Sequence, residues 1–249
     1  MNLELQGKVA LITGSSRGIG LAIAEALIQE GCIVVLNGRN AERLGSAAKR
    51  LGVTGIACDV TQEEGASSLV NAVVALHGRV DILVTNVGSG NSVPPGQENW
   101  TEWDRMLGLN LRAAVNSVNA ARATLAANNG VVLCISSICG SAALGAPLAY
   151  SAAKAALNSY VRGVSRVLAT EGVRINALAP GNVLFEGSNW EKHIHHNPHA
   201  VKDLLKHEVA LQRFGSVDEI ANIATFMCSA KNSFMTGEIV VVDGGQLRS

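Results

Sequence analysis

Short apolar segments alternate with longer amphipathic segments along most of the chain. Several short segments are apolar at every position, which is typical of parallel strands that helices cover on both faces. Strands are predicted at Lys8–Thr13, Ile33–Asn37, Gly55–Cys58, Val80–Thr85, Val131–Ser136, Arg174–Leu178 and Glu238–Val242. Helices are predicted at Ile19–Glu30, Ala41–Leu51, Glu63–His77, Trp100–Ala127, Tyr150–Glu171 and Val217–Ser229.

This alternation predicts an α/β fold, with a single Rossmann-type doubly wound parallel sheet of about seven strands and helices on both faces. The length of 249 residues suits one domain over residues 1–249. Two stretches, Ser89–Asn99 and Asn182–Gln212, interrupt the alternation just after a strand. Ligands of such sheets bind at the carboxyl ends of the strands. Both stretches are therefore candidate rims of a substrate site, with a lid at about residues 184–212.

Composition narrows the classes of function. A hydrophobic fraction of 48% and a charged fraction of 16% predict a well-formed core. The 20 basic and 20 acidic residues cancel, which argues against a nucleic-acid partner. Five cysteines without a Cys-x-x-Cys pair predict reduced thiols and a cytoplasmic location. We expect no signal peptide and no membrane association, because no apolar run approaches about 20 residues.

A glycine-rich turn, Thr13–Gly20, joins the first predicted strand to the first predicted helix. Gly14 permits a tight turn, Gly18 lets the backbone approach a pyrophosphate, and Gly20 allows close packing of helix on strand. The helix N-terminus then offers free N–H groups and a positive dipole to phosphates. The turn predicts a dinucleotide site at Gly14, Ser16, Arg17, Gly18, Ile19 and Gly20.

The end of the second strand bears on the choice of cofactor. An NAD site usually has an acidic residue there to hold the ribose hydroxyls. Here the segment Leu36–Asn40 contains no acid and includes Arg39, while Arg17 adds a second cation from the turn. Two guanidinium groups favour a ribose phosphate. We therefore predict that NADP(H) is preferred and NAD(H) is possible, the alternative being that Arg39 caps a helix or faces solvent.

Tyr150 and Lys154 lie one helical turn apart, on the same face of a predicted helix. A tyrosine hydroxyl has a pKa near 10, and a cation beside it would lower that value and make the tyrosine an acid/base catalyst. The strand that precedes this helix ends in Ser136 and Ser137, which places hydroxyl groups at the carboxyl edge of the sheet. A purely structural Tyr–Lys pair on one helix face is the alternative.

With these motifs the chain resembles the short-chain dehydrogenase/reductase family over essentially its whole length. The T-G-x-x-x-G-x-G turn matches Thr13–Gly20, the Y-x-x-x-K motif matches Tyr150 and Lys154, and the family's serine, thirteen residues before the tyrosine, is Ser137. The resemblance also makes Asn110 the family's helix asparagine and Asp243–Gly245 its terminal D-G-G motif. It implies that the cofactor's adenine is contacted by Asp59 and Val60, and its nicotinamide by Pro180, Gly181 and Val183.

The resemblance implies a division of roles. Tyr150 would exchange a proton with the substrate oxygen, which Ser137 would orient. Lys154 would bind the nicotinamide ribose and lower the pKa of Tyr150. Asn110 would hold a water that links Lys154 to solvent. Nicotinamide would supply the hydride, leaving positioning and electrostatics to the protein.

Two departures from the family pattern stand out. The N-N-A-G segment is Thr85–Gly88 here, which retains Asn86 and Gly88 as predicted cofactor contacts. Four residues after Gly181, where the family often has a threonine that contacts the cofactor amide, this chain has Phe185. Ser188 or Asn189 are the candidates to replace that contact.

The segment Lys192–His199 contains four histidines in seven residues. It lacks cysteines or carboxylates at ligand spacing, and Pro198 breaks any continuous helix. We predict no metal site here and interpret the segment as part of a polar, mobile lid. Trp190 and Phe185 either line the pocket or anchor the lid.

Alanines after Tyr150, at positions 152, 153, 155 and 156, permit close approach of another helix. In the family that helix packs against its twin, so the resemblance implies a homodimer or homotetramer; packing within the subunit is the alternative.

The function predicted is hydride transfer between NADP(H) and a small-molecule carbonyl or secondary alcohol. A 3-oxoacyl thioester and a keto or hydroxy sugar are both candidate substrates, and the polar lip at Glu186–His199 mildly favours the sugar. The alternative is a catalytically silent NADP(H)-sensing protein on the same fold.

Overall fold

Seven parallel strands form one sheet in the computed structural model, which describes residues 2–248. The strands are β1 (Val9–Ile12), β2 (Ile33–Gly38), β3 (Thr54–Ala57), β4 (Ile82–Thr85), β5 (Val131–Ile135), β6 (Arg174–Pro180) and β7 (Ile239–Val242). Their order is β3-β2-β1-β4-β5-β6-β7. This order confirms the predicted doubly wound sheet, and each predicted strand is found within two residues of its expected limits.

The helices are α1 (Gly18–Gln29), α2 (Ala41–Leu51), α3 (Glu63–His77), α4 (Trp100–Leu107), α5 (Ala113–Ala127), α6 (Leu148–Ala169), α7 (Asn189–His196), α8 (Pro198–Glu208) and α9 (Val217–Cys228). Buried residues of α1, α2 and α9 form one core cluster, and those of α3, α5 and α6 form a second. β1 contributes residues to both clusters: Ala10 and Ile12 belong to the first, and Val9 and Leu11 belong to the second. This alternation follows from the two-residue period of a strand. No helix within residues 2–248 is long and apolar enough to cross a membrane.

The strand order reverses at β1, which lies between β2 and β4. Such a reversal opens a crevice at the carboxyl ends of the central strands. The glycine turn after β1 and the loop after β4 meet there. The amide of Thr13 donates to the Val84 carbonyl at 2.9 Å, and the amide of Asn86 donates to Thr13 Oγ1 at 3.1 Å.

The predicted helix Trp100–Ala127 is interrupted by a π-helical turn at Gly108–Arg112, between α4 and α5. Such turns are frequent at functional sites. Asn110 lies in this turn and is only 1% exposed. The apolar pattern could not reveal the interruption, because both flanking segments have helical spacing.

Two helices, α7 and α8, fill much of the Asn182–Gln212 stretch, where the sequence pattern predicted none. Ser188 caps α7 and Asn197 caps α8. Pro198 is the first residue of α8, where its missing N–H costs nothing. The predicted break at Pro198 is therefore present, but it separates two short helices.

Gly140 allows the 3₁₀ turn Ile138–Gly140 to pack directly on α6. A Cβ atom at Gly140 would lie 2.7 Å from the backbone carbon of Lys154. We expect Gly140→Ala to lower the free energy of unfolding by about 1–3 kcal/mol, because the backbone must move to admit the methyl group. Denaturant titration measures it.

Gly163→Ala is the matched control on the exposed side of α6, where a Cβ meets no atom within 4 Å. It should raise stability by about 0.5–1 kcal/mol, since alanine is the better helix former. Equal effects of the two substitutions would contradict the role given to Gly140.

Candidate active site

The glycine turn leaves the start of α1 open to a ligand. Within the described residues no side chain caps α1, as is also the case for α3, α5 and α6, whereas Asn or Ser side chains cap the other helices. The first amides of α1 thus retain free N–H groups that suit a phosphate. Asn86 Nδ2 donates to the Gly14 carbonyl at 2.8 Å, and a Cβ at Gly20 would lie 2.4 Å from that nitrogen. Gly20 is therefore required for Asn86 to reach the turn.

Asn37, at the end of β2, is a residue whose role was missed in the sequence. It is 1% exposed. Its Nδ2 donates to the Ile56 carbonyl at 3.0 Å, and its amide N–H donates to Ser15 Oγ at 3.0 Å. It therefore ties the glycine turn to the ends of β2 and β3. An uncharged polar residue at the end of an apolar strand was the available signal.

Both arginines that were predicted to face a ribose phosphate have partners within the protein. Arg39 Nη1 lies 3.5 Å from Asp59 Oδ2. Arg17 Nη1 donates to the Gly187 carbonyl at 2.8 Å. A carboxylate therefore lies beside Arg39 although the segment Leu36–Asn40 contains none, because Asp59 follows a different strand that is adjacent only in the fold.

Asp59 is held in its ionised form. Burial opposes ionisation, but hydrogen bonds from the Thr61 amide and hydroxyl and the nearby Arg39 cation together lower the pKa of Asp59. The Thr61 amide and hydroxyl lie 3.0 and 2.8 Å from Asp59 Oδ1. The carboxylate is thus a fixed negative charge beside Arg39.

Ser137 and Tyr150 meet at the carboxyl edge of β5. Ser137 is 7% exposed, and its Oγ accepts the Cys139 amide at 3.2 Å. Burial raises the pKa of Tyr150 to about 12; the neighbouring Ser137 hydroxyl works against the rise, and the Cys139 thiol adds to it. At neutral pH Tyr150 is therefore a phenol that can donate a proton.

Lys154 is buried at 4% exposure, and its Nζ donates to the Ile135 carbonyl at 2.8 Å. Burial lowers the pKa of Lys154 to about 8. Its Nζ lies 6.0 Å from the centroid of the Tyr150 ring. Burial of the hydroxyl is the largest influence on the pKa of Tyr150, and Lys154 is not among its causes. The lowering of that pKa by Lys154 together with nicotinamide stays a prediction.

Asn110 fixes the loop after β4. Its Oδ1 accepts the Ser89 amide at 3.1 Å, and its Nδ2 donates to the Ser89 and Met106 carbonyls, each at 3.1 Å. A Cβ at Gly88 would lie 2.8 Å from Asn110 Oδ1 and 3.3 Å from Lys154 Nζ. Gly88 thus leaves room for the asparagine and lysine side chains to converge.

The remaining predicted cofactor residues follow or end strands β3 and β6, on the carboxyl edge of the sheet. Pro180 ends β6, and a Cβ at Gly181 would lie 2.7 Å from Asp243 Cβ. This close approach explains why Gly181 and the Asp243–Gly245 motif occur together. Val183 forms a bridge to Gly215, and Val60 is 2% exposed.

The lid reaches the glycine turn itself. The Phe185 ring packs on Gly18, where a Cβ would be 2.6 Å from the ring. Ser188 is 5% exposed, and its Oγ accepts the Glu191 amide at 3.1 Å. The Trp190 ring lies 5.3 Å from the Phe214 ring, centroid to centroid. Trp190 therefore anchors the lid, and Phe185 joins the lid to the turn.

The four lid histidines, His193, His195, His196 and His199, are exposed. Over residues 2–248 no group of three His, Cys, Asp or Glu side chains converges to hold a metal ion.

Comparison with known proteins places this site in a family context. A family model described as enoyl-(acyl carrier protein) reductase matches residues 14–246. The 3-oxoacyl-[acyl-carrier-protein] reductase FabG of Aquifex aeolicus is 32% identical over 252 residues, which cover 98% of this chain and 99% of that protein. The dehydrogenase/reductase SDR family member 4 of Bos taurus is 35% identical, with coverage of 98% and 88%.

Among solved structures, L-sorbose reductase from Gluconobacter frateurii, complexed with NADPH and L-sorbose, superimposes with a TM-score of 0.94. The two sequences are 31% identical, and the match covers 100% of each chain.

Lys154→Met tests the burial of the lysine. The pKa of Lys154 is about 8 in the folded protein, against an ordinary value of 10.5 for lysine. The unfolded chain therefore binds more protons between these values, so the stability of the wild type rises with pH there. At pH 7 we expect the variant to be more stable by up to about 3 kcal/mol, with the difference shrinking from about pH 8 to pH 10.

Urea titrations of both proteins across this pH range measure the difference, and Lys192→Met serves as an exposed control. A difference that is independent of pH would contradict the assigned pKa.

Proposed function

We propose that this chain, which belongs to the short-chain dehydrogenase/reductase family, reduces a small-molecule ketone with NADP(H) and uses Tyr150 as the acid. Its family membership makes it an NAD(P)-dependent dehydrogenase or reductase that acts on an alcohol or carbonyl carbon. The observation that carries this proposal is the meeting of Ser137, Tyr150 and Lys154 beside the crevice where the glycine turn lies.

Proton transfer is the task of the protein in this proposal. Bound nicotinamide would supply the hydride. Ser137 and Tyr150 would hold the substrate oxygen, and the Tyr150 phenol, whose pKa is raised by burial, would give its proton to that oxygen. One hydride and one proton convert C=O into CH–OH. Lys154 would bind the cofactor ribose, and Asn110 would act as a positioning residue through Ser89.

The crevice fits a dinucleotide phosphate. The uncapped start of α1 offers N–H donors. Gly14 and Gly18 both have positive φ, which glycine adopts without strain, and this backbone conformation forms the turn at the start of α1. Arg39 and Arg17 are exposed and have donors to spare, since a guanidinium has five N–H groups. The 2′-phosphate of NADP(H) would compete with the Asp59 carboxylate for the Arg39 guanidinium group. The relative from G. frateurii is complexed with NADPH, which supports the preference for NADP(H) over NAD(H).

Two substrate classes have support. The relative from A. aeolicus is named for a 3-oxoacyl thioester, and the structure from G. frateurii contains L-sorbose. The lid segment Glu186–His199 is mostly polar, which supports a polar, hydroxylated substrate over a fatty chain. We favour a keto sugar or a related hydroxyketone.

We also propose a homodimer or homotetramer. Ala152 and Ala155 are exposed on α6 and would let a second copy of that helix approach closely. The five cysteines are all free thiols, which supports the cytoplasmic location inferred from their spacing.

Tyr150→Phe tests the assignment of the acid. We expect kcat for ketone reduction to fall by about 10²–10⁴-fold, because the proton donor is lost, while the Kd for NADPH changes by less than about threefold. NADPH oxidation is followed by absorbance with L-sorbose, a 3-oxoacyl thioester, an enoyl thioester and simple ketones, and NADPH binding by fluorescence.

Retained ketone reduction by the variant would refute the role of Tyr150. Tight NADPH binding by the wild type without turnover of any of these compounds would favour the cofactor-sensing alternative. Turnover of the enoyl thioester alone would replace carbonyl reduction with reduction of a carbon–carbon double bond.

Arg39→Ala tests the choice of cofactor. Loss of a charge-assisted hydrogen bond should raise KM for NADPH by about 10- to 100-fold and leave KM for NADH nearly unchanged. Arg166→Ala, an exposed arginine in the last turn of α6, is the control. Equal effects on the two cofactors, or a wild type that prefers NADH, would overturn the preference for NADP(H).

A further inference from the structure

Gly90 marks a space at the edge of the Tyr150 ring. A Cβ atom at Gly90 would lie 3.8 Å from Tyr150 Cε1 and Cζ and 3.7 Å from Asn189 Nδ2. Three segments therefore border one point: the loop after β4, α6 and the start of α7. Cζ carries the tyrosine hydroxyl, so this space adjoins the predicted proton donor.

The rim of this space is fixed by the protein. Asn110 holds the backbone of Ser89 on both its N–H and its carbonyl. Arg105 Nη2 donates to the Asn91 carbonyl at 2.7 Å, and Ser92 hydrogen-bonds Glu102. Gly90 is held between these two anchored positions. Its bare backbone leaves the space open between Tyr150 and Asn189.

Asn189 is the unused polar group at this place on the lid. Ser188 Oγ already accepts the Glu191 amide, and Glu191 Oε2 accepts the Gly187 amide at 2.6 Å. The Asn189 side chain makes no hydrogen bond with any of residues 2–248 and is half-buried. An amide offers two donors and one acceptor, so it suits a partner that can both donate and accept.

We propose that Asn189 determines substrate specificity by hydrogen-bonding a hydroxyl group on the carbon next to the carbonyl whose oxygen Tyr150 protonates. This inference rests on the proposed function and narrows its substrate to hydroxyketones. An alkyl group in the same space would leave the half-buried amide without a partner, which disfavours plain ketones and fatty chains. The amide of the cofactor, the other candidate partner of Asn189, would not distinguish between substrates.

The test compares 1-hydroxy-2-butanone with 3-pentanone, in which a methyl group replaces the hydroxyl. With the full-length enzyme and saturating NADPH, Asn189→Leu should lower kcat/KM for 1-hydroxy-2-butanone by about 10- to 100-fold. It should change the value for 3-pentanone and the KM for NADPH by less than about threefold. Lys192→Leu, an exposed change on the same helix, is the control.

A second variant, Gly90→Ala, fills the space without straining the backbone, because its Cβ would make only ordinary contacts at 3.7–3.8 Å. It should fold with an unchanged Tm and lose activity toward 1-hydroxy-2-butanone. Activity of Gly90→Ala equal to that of the wild type would overturn the location of the site.

Equal losses for both ketones in Asn189→Leu, or no loss for either, would overturn the proposal, as would a wild type that reduces 3-oxoacyl thioesters but neither ketone. In that last case the proposed carbonyl reduction stands. If the wild type reduces no carbonyl compound at all, the proposed function fails together with the inference.

Discussion

Hydrogen bonds between the ends of β1 and β4 are the constraint on which the rest of the site depends. Thr13 joins the two strands through Val84, and Asn86 returns to Gly14 at 2.8 Å. These bonds form because β1 pairs with β4 in the sheet. The reversal of strand order at β1 opens the crevice beside them. The bonds hold the glycine turn, which starts α1, against the loop that continues to Gly88 and Gly90. A shift of either strand would therefore move the phosphate side and the carbonyl side of the crevice together.

Burial of Lys154 is the main electrostatic cost of this arrangement. An ammonium group at 4% exposure has only the Ile135 carbonyl as its direct partner, at 2.8 Å, among the described residues. On burial the ammonium group exchanges its hydration shell for a single hydrogen bond and is left with too few acceptors. This is why the pKa of Lys154 falls to about 8. Strained or poorly solvated groups of this kind are common where activity and stability have opposite requirements. The surrounding apolar core, in which Leu157 and Val161 are at most 1% exposed, keeps α6 in place despite this cost.

The sequence was sufficient for the sheet and for most of the helices, because fully apolar strands and amphipathic helices are local patterns. It also indicated Ser137, Tyr150 and Lys154, which the structure brings together. The partners of Arg17 and Arg39 could not be predicted, since Gly187 and Asp59 are distant in the chain. The rise in the pKa of Tyr150 depends on burial by the whole fold. The helices α7 and α8 were missed because their polar sequence shows little apolar periodicity, and their ends depend on the caps Ser188 and Asn197.

The π-helical turn at Gly108–Arg112 has an evolutionary consequence. A π turn contains one residue more than an α turn, so this part of the chain can be regarded as an insertion into a continuous α4–α5 helix. Deleting one residue here would restore regular α geometry and could leave the packing of α5 against α3 intact, while Asn110 would turn away from Ser89. A deletion elsewhere in α5 would instead rotate its buried residues, such as Val118 and Leu125, out of the core. Natural length variants at this turn would therefore be expected to retain the fold and lose the anchored loop after β4.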